Sequence, residues 1–218
     1  MFGARVRRLL SDPSNPRSLS SHARHRRWAE FMRQFPSLPE MRVLDLGGTP
    51  AFWRAVPYQP AALTTVNLEP SEADEPWINH VVGDACEFRV VSSLRYDLVV
   101  SNSVLEHVGG HEQRRRLAEV VHESAPAHWV QTPYRYFPIE PHWLAPGWQF
   151  LPPAGRAAVL SHWPFCHGGR PRDRTSALQM VLTTELVGNA EMRLLFPSSK
   201  IWCERVVGLT KSIVAVRK

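Results

Sequence analysis

Residues 43–53, Val-Leu-Asp-Leu-Gly-Gly-Thr-Pro-Ala-Phe-Trp, limit most sharply what this chain can fold into. A short apolar strand runs straight into two glycines and a turn. A backbone that turns this tightly at a strand end can approach a ligand without a Cβ in the way. In open α/β sheets such a turn, at the carboxyl end of the first strand, is where nucleotide-like ligands are held. The rest of the chain has to say which ligand.

The 218 residues suffice for one well-buried α/β domain. No apolar run approaches the roughly 18 residues that span a bilayer. Three cysteines, Cys86, Cys166 and Cys203, are odd in number and far apart, so a disulfide framework is not expected and a reducing, cytoplasmic setting is. The net charge of +6 is unevenly placed, with Arg5, Arg7, Arg8, Arg17, Arg24, Arg26, Arg27 and Arg33 opposed only by Asp12 and Glu30 over the first 33 positions. Three readings fit this: a composition bias toward arginine, an arm over residues 1–20 that meets nucleic acid or an anionic membrane surface, or an organellar targeting segment. A secretory signal is excluded, because Leu9-Leu10 is too brief an apolar core.

Trp28, Phe31, Met32 and Phe35 recur at helical spacing, which predicts a helix from about Ser21 that Pro36 and Pro39 end. Strands are expected at Arg42–Leu46, Ala62–Leu68, Ile78–Val82, Tyr96–Ser101 and His128–Gln131, with a helix at Gln113–Ser124. Further helices are expected at Thr175–Leu186 and Glu191–Phe196, and Ile201–Val216 reads as a hairpin about Gly208. Strands that alternate with helices predict an α/β chain with a doubly wound, mostly parallel sheet, closed by one antiparallel strand from the hairpin. Residues 133–174, rich in proline and tryptophan, break this rhythm. They read as an irregular cover or binding loop inserted in a single domain over 21–218.

Ligands in such a sheet sit beyond the strand ends, so the loops after the first four strands carry the candidates. Gly47 and Gly48 allow close backbone approach, while Asp45 is either a ligand contact or a turn cap. Glu69 lies 22 residues after Gly47 and can accept hydrogen bonds from ribose hydroxyls. Asp84 can accept from an exocyclic amine. The loop after the fourth strand offers Asn102, Glu106 and His107. Each is ordinary alone; their order along successive strand ends is not.

The set Val43-Leu44-Asp45-Leu46-Gly47-Gly48, Asn67-Leu68-Glu69, Gly83-Asp84-Ala85 and Tyr96 through His107 resembles a class I S-adenosylmethionine-dependent methyltransferase of Rossmann-like fold. The resemblance covers about residues 40–132. It implies S-adenosylmethionine as cofactor, with Asp45, Gly47, Gly48, Thr49, Glu69, Asp84, Ala85, Ser101 and Asn102 around it. Glu69 would hold the ribose, Asp84 would face adenine, and Ser101 and Asn102 would line the methyl-transfer site. Where the family reads Gly-x-Gly-x-Gly, this chain has Gly47-Gly48-Thr49-Pro50. Pro50 has no N–H and a fixed φ, so the loop is expected to close differently. The missing third glycine counts against a nicotinamide cofactor.

The family's cofactor brings the reactivity, so the protein supplies orientation and a dry cavity. A base is needed only where the acceptor loses a proton. His107 on the cofactor side and His142 on the substrate side are the candidates. The Asn/Asp-Pro-Pro-Tyr/Phe signature of amino methylation is absent after the fourth strand, where Ser101-Asn102-Ser103-Val104 stands. That weakens methylation of nucleic-acid bases, and the aromatic insertion favours a small, partly apolar acceptor, so a small-molecule or lipid-linked hydroxyl is expected. The alternatives are an RNA methyltransferase that clamps phosphate with the basic arm, and a non-catalytic module of the same fold. No metal site is expected, since His162, Cys166 and His167 lack a fourth ligand at recognisable spacing.

Overall fold

A computed structural model describes residues 19–90, 95–164 and 171–218. The arm before residue 19, together with Cys166 and His167, lies outside the described residues. Helix α1, Leu19–Gln34, begins two residues earlier than expected and is followed by a 3-10 turn at Leu38–Glu40. Strands β1 Arg42–Leu46, β2 Ala62–Asn67, β3 Ile78–Val82, β4 Leu98–Asn102 and β5 Ala127–Pro133 then follow. Short helix α2, Pro50–Arg54, comes after β1, and α3, His111–Ser124, comes after β4. The chain ends with helix α6, Asn189–Leu195, and strands β8, Lys200–Val206, and β9, Leu209–Arg217.

The seven-stranded sheet has the order β3-β2-β1-β4-β5-β9-β8. The pairs β3-β2, β2-β1, β1-β4 and β4-β5 are parallel, while β9 runs antiparallel to both β5 and β8. The antiparallel strand of the hairpin is thus the inner one. The turn that makes this possible is Val207-Gly208, both at positive φ (50° and 80°). That is the two-residue geometry whose twist suits a hairpin, although a β-branched valine adopts it at a cost.

The central strands read as continuous apolar runs because both faces are covered. Leu44, Leu46, Val99, Val130, Ile213 and Ala215 turn to one face, under Leu117 and Val121 of α3 and Met192 of α6. Val43, Leu98, Val100, Trp129, Val214 and Val216 turn to the other, under Phe31 of α1, Phe35 just past its end and Trp53 of α2. The alternation is the period-2 projection of strand side chains, read twice. Trp129 takes Phe31 edge-on at 5.3 Å, which ties α1 to β5.

The segment expected to be an irregular cover has structure of its own. Strands β6, Ile139–Glu140, and β7, Ala145–Pro146, make a small antiparallel pair, followed by a 3-10 turn at Trp148–Phe150 and helix α4, Pro153–Leu160. Helix α5, Arg174–Leu182, packs on α4 and ends four residues before the expected Leu186. Trp143, Trp148, Leu160, Ala177 and Val181 form a third buried cluster between these elements. The prolines end short elements here; they do not prevent a core. Among the described residues no helix is long and apolar enough to cross a membrane.

Candidate active site

The strand order reverses where β1 lies between β2 and β4, and the candidate residues gather above that point. Gly47 has φ +82°, and a Cβ on it would come within 2.3 Å of Val104 Cγ2. The Gly47 N–H donates to Val66 O at 2.7 Å, while Asn67 Nδ2 donates to Gly47 O at 2.9 Å and to Gly48 O at 3.3 Å. Asn67 therefore fixes the glycine turn from β2, a role that glycine spacing alone does not reveal. Thr49 is extended, and Pro50 occupies the first position of α2. A helix start does not need that N–H, so the proline is absorbed without opening the turn.

Two residues expected to contact the cofactor lie beneath the site instead. Asp45 is 1% exposed, and its Oδ2 accepts from Trp53 Nε1 at 2.7 Å while Oδ1 has no partner. Burial pushes its pKa up to about 7, against a weaker pull down from the Trp53 hydrogen bond. Ser101 is fully buried, and its hydroxyl donates to Leu46 O at 3.0 Å, clamping β4 to β1. Both residue types suit a ligand, but burial in a central strand turns them inward.

The Asp45 shift has a measurable consequence. The unfolded chain loses this proton near 3.8 and the folded protein near 7. Over that window the folded state holds more protons, so stability is full below it, falls as pH rises through it, and is level above it. Relative to Asp45→Asn, the wild type is expected to lose up to about 1.4 kcal/mol per pH unit across the window. Urea denaturation of both proteins from pH 4 to pH 8 measures this; parallel curves would refute it.

Two cavities meet at the strand ends. One, of about 310 Å³, is lined by Gly47, Leu68, Asp84, Ala85, Val104 and His107, among others. Glu69 stands exposed beside it at the end of β2, with its backbone N–H held by Asn67 Oδ1 at 3.2 Å. Asp84 is exposed and caps its own loop, Oδ1 accepting from the Cys86 N–H at 2.8 Å. The second cavity, of about 660 Å³, runs under α1 and α2 and is lined by Arg27, Trp28, Phe31, Thr49, Phe52 and Asn102, among others. Ser103 lines both. It is held at φ +55° by its N–H to Gln131 O at 2.9 Å and its hydroxyl to Gln131 Oε1 at 3.1 Å. A strained backbone fixed on two sides, at the junction of two cavities, is a mark of a functional position. Sequence reading passed over Ser103, and its only signal was its place directly after Asn102.

The two candidate bases, 35 positions apart in sequence, come together. His142 Nε2 lies 3.1 Å from His107 Nε2, and His142 Nδ1 lies 2.6 Å from Glu140 Oε1. Glu140 is 2% exposed, and its other oxygen accepts from the Trp143 N–H at 2.8 Å. Burial opposes charge on His142, but the Glu140 hydrogen bond and charge outweigh it and hold the pKa above the ordinary value. Desolvation, then the neighbouring His142, hold His107 below it. Glu106, 1% exposed, donates nothing and accepts from Thr132 Oγ1 at 2.9 Å; burial raises its pKa to about 7. Sequence reading had separated His107 and His142 into two sides of the site and had no role for Glu140.

With strand order, glycine turn and acidic strand ends in place, the fold is that of the class I S-adenosylmethionine-dependent methyltransferases. No protein-family model matches the sequence, and no curated protein matches it. Solved structures do. An S-adenosylmethionine-dependent methyltransferase from Mesorhizobium loti is 16% identical over 88% of this chain and 97% of its own, with a TM-score of 0.57. The N-methyltransferase NodS from Bradyrhizobium japonicum is 12% identical over 94% of this chain and 98% of its own, with a TM-score of 0.52. Magnesium protoporphyrin IX methyltransferase from Synechocystis, solved with S-adenosylmethionine bound, is 12% identical over 100% of this chain and 92% of its own, with a TM-score of 0.51. At these identities the likeness is one of fold.

Proposed function

We propose that this chain transfers a methyl group from S-adenosylmethionine to a hydroxyl of a small-molecule or lipid-linked acceptor. The observation that carries the reading is the imidazole pair His107–His142, backed by buried Glu140, against the groove that Gly47 and Asp84 line. The residues present fit the cofactor. Leu68, Ala85, Val104 and Val108 make an apolar slot for a base, with Asp84 at hand for an exocyclic amine. Glu69 would accept from the ribose hydroxyls, and the Gly47-Gly48 turn leaves main chain open to approach. When bound, the cofactor supplies an electrophilic methyl group on sulfur.

The protein's own part is positioning and proton handling. Trp28, Phe31 and Phe52 give the larger cavity an apolar wall for the acceptor. Asn102 and Ser103 present polar groups between the two cavities. His107 accepts the hydroxyl proton, and Glu140 steadies the charge that then reaches His142. The absence of the amino-methylation signature after β4 supports a hydroxyl over an amide or base nitrogen.

Calorimetry with S-adenosylmethionine tests the reading. Micromolar binding by the wild type is expected, and Glu69→Ala is expected to weaken it about 10- to 100-fold, the worth of a charge-assisted hydrogen-bond pair. A folded wild-type protein that binds none overturns the proposal.

A further inference from the structure

The His107–His142 contact contains an unresolved polarity. His107 Nδ1 faces Thr183 O at 3.4 Å and Thr184 Oγ1 at 3.3 Å, and His142 Nδ1 faces the Glu140 carboxylate at 2.6 Å. Glu140 only accepts, so His142 carries an N–H on Nδ1; at His107 the Thr183 carbonyl favours the same tautomer, while the Thr184 hydroxyl can also donate to Nδ1. With both N–H groups on Nδ1, the two Nε2 atoms, 3.1 Å apart, are both acceptors. Two lone pairs at that distance repel unless a positive charge sits between them.

A proton held on His142 by Glu140 joins the two nitrogens but leaves Glu106 Oε1 without a partner. A third group stands at the same place. A carboxylate oxygen of Glu106 and one ligand atom from each histidine all lie within 4.8 Å of one another. Glu106 is 1% exposed, Thr132 occupies its Oε2, and Oε1 has no hydrogen-bond partner. A buried carboxylate with one unpartnered oxygen, grouped with two imidazoles, is a donor set that a cation would complete.

We propose that Glu106, His107 and His142 form a binding site for a divalent transition-metal ion, held by one carboxylate oxygen and the two Nε2 atoms. Metal–nitrogen bonds of about 2.0–2.1 Å at tetrahedral or octahedral angles place two nitrogens roughly 2.8–3.4 Å apart, which brackets the observed separation of 3.1 Å. Two imidazoles and a carboxylate suit zinc and its neighbours better than magnesium or calcium. Glu140 on His142 Nδ1 is the carboxylate–histidine arrangement that orients a metal-binding ring and raises its basicity. The sequence expectation of no metal looked only to His162, Cys166 and His167. Glu106 and His107 are adjacent and His142 is distant, so no spacing rule finds them.

Three protein ligands leave a coordination position open. Since His107 also lines the groove, an acceptor's oxygen is the natural fourth ligand. Metal and proton would compete for the same lone pairs, so in the metal-loaded protein the histidines orient that oxygen. This role rests on the methyl-transfer reading; the binding of the ion does not.

The test is titration of the full chain, stripped with chelator, with zinc(II) followed by calorimetry. One zinc per chain is expected, with affinity reduced at least about 10-fold in Glu106→Gln, His142→Gln and Glu140→Gln and unchanged in His162→Gln. Cobalt(II) added to the wild type alone gives a second readout that needs no variant: visible d–d bands of a low-coordinate site. No stoichiometric zinc and no cobalt bands overturn the site, as does zinc binding abolished by His162→Gln and indifferent to the other three. S-adenosylmethionine calorimetry on the same stripped protein separates the two ideas. Zinc binding without cofactor binding keeps the site and sinks the methyltransferase reading; the reverse sinks the site alone.

Discussion

Gly48→Ala is expected to lower stability by about 3 kcal/mol or more and to weaken S-adenosylmethionine binding by roughly 100-fold. A Cβ on Gly48 would lie 1.8 Å from Asp45 Oδ2 and 2.2 Å from its Cγ. The carboxylate cannot swing aside freely, because Trp53 Nε1 holds it at 2.7 Å in a fully buried site. Overpacking costs about 1–3 kcal/mol, and breaking the buried hydrogen bond adds about 1–3 kcal/mol. In a chain of this size that lowers Tm by about 6–12 °C or more. The turn that Asn67 fixes would shift, and a misplacement of about 1 Å in a positioning group is enough for a 100-fold loss. Thermal melts and calorimetry measure both. The Asp45→Ala background isolates the cause: there the clash is gone, and adding Gly48→Ala should cost little. An undiminished cost in that background would show the account to be wrong.

Arg27→Met is expected to cost about 3 kcal/mol. Arg27 on α1 donates to Glu204 Oε1 and Oε2 at 3.3 and 2.8 Å, and to Gln131 Oε1 at 2.9 Å. Glu204 on β8 is 2% exposed, so removing the guanidinium strands a buried charge. Breaking such a pair costs about 3–5 kcal/mol; the lower end applies because the Arg27 side chain keeps 21% exposure. Replacing both partners, Arg27→Met with Glu204→Leu, should recover most of the loss, since the pair's own attraction is largely offset by desolvation. Urea denaturation of the two proteins measures it, and equal losses in single and double variants would refute it. The same arginine lines the larger cavity and braces Gln131, which holds Ser103. Ser103 should therefore become mobile in the single variant, and cofactor affinity should fall with it.

Arg27 also shows where sequence reading stops. Among the crowded N-terminal arginines it looked like one more charge on a solvated or phosphate-binding arm. In the structure its charge is spent inward, on a carboxylate 177 positions away. No local pattern marks that pairing, because the partner arrives only when the hairpin closes the sheet. Asp45 and Ser101 lie beneath the candidate site for the converse reason. Their residue types and strand-end positions suit a ligand, but a strand covered on both faces buries the side chains between its ends. The 133–174 segment was misjudged because its prolines and tryptophans were read as breakers and cover. Short elements can bury Trp143 and Trp148 together, with Trp163 packed partly buried against them, without any long periodic stretch.

Other parts were legible because they depend on local chemistry. β1 and β3 fall at the expected bounds, since short runs of strand-forming residues bounded by turn residues mark a strand wherever it packs. The parallel order followed from strand–helix alternation, and the glycine turn announced a close backbone approach. What the sequence by itself determined, then, is the sheet, the turn and the strand ends where Glu69 and Asp84 stand, because each is set by residues near it in the chain. Only the tertiary structure decided that Glu106, His107 and His142 converge beside Glu140, and that Asp45 and Ser101 turn away. Convergence across 35 residues depends on how β5, the β6–β7 pair and the loop after β4 pack, and packing is a property of the whole chain.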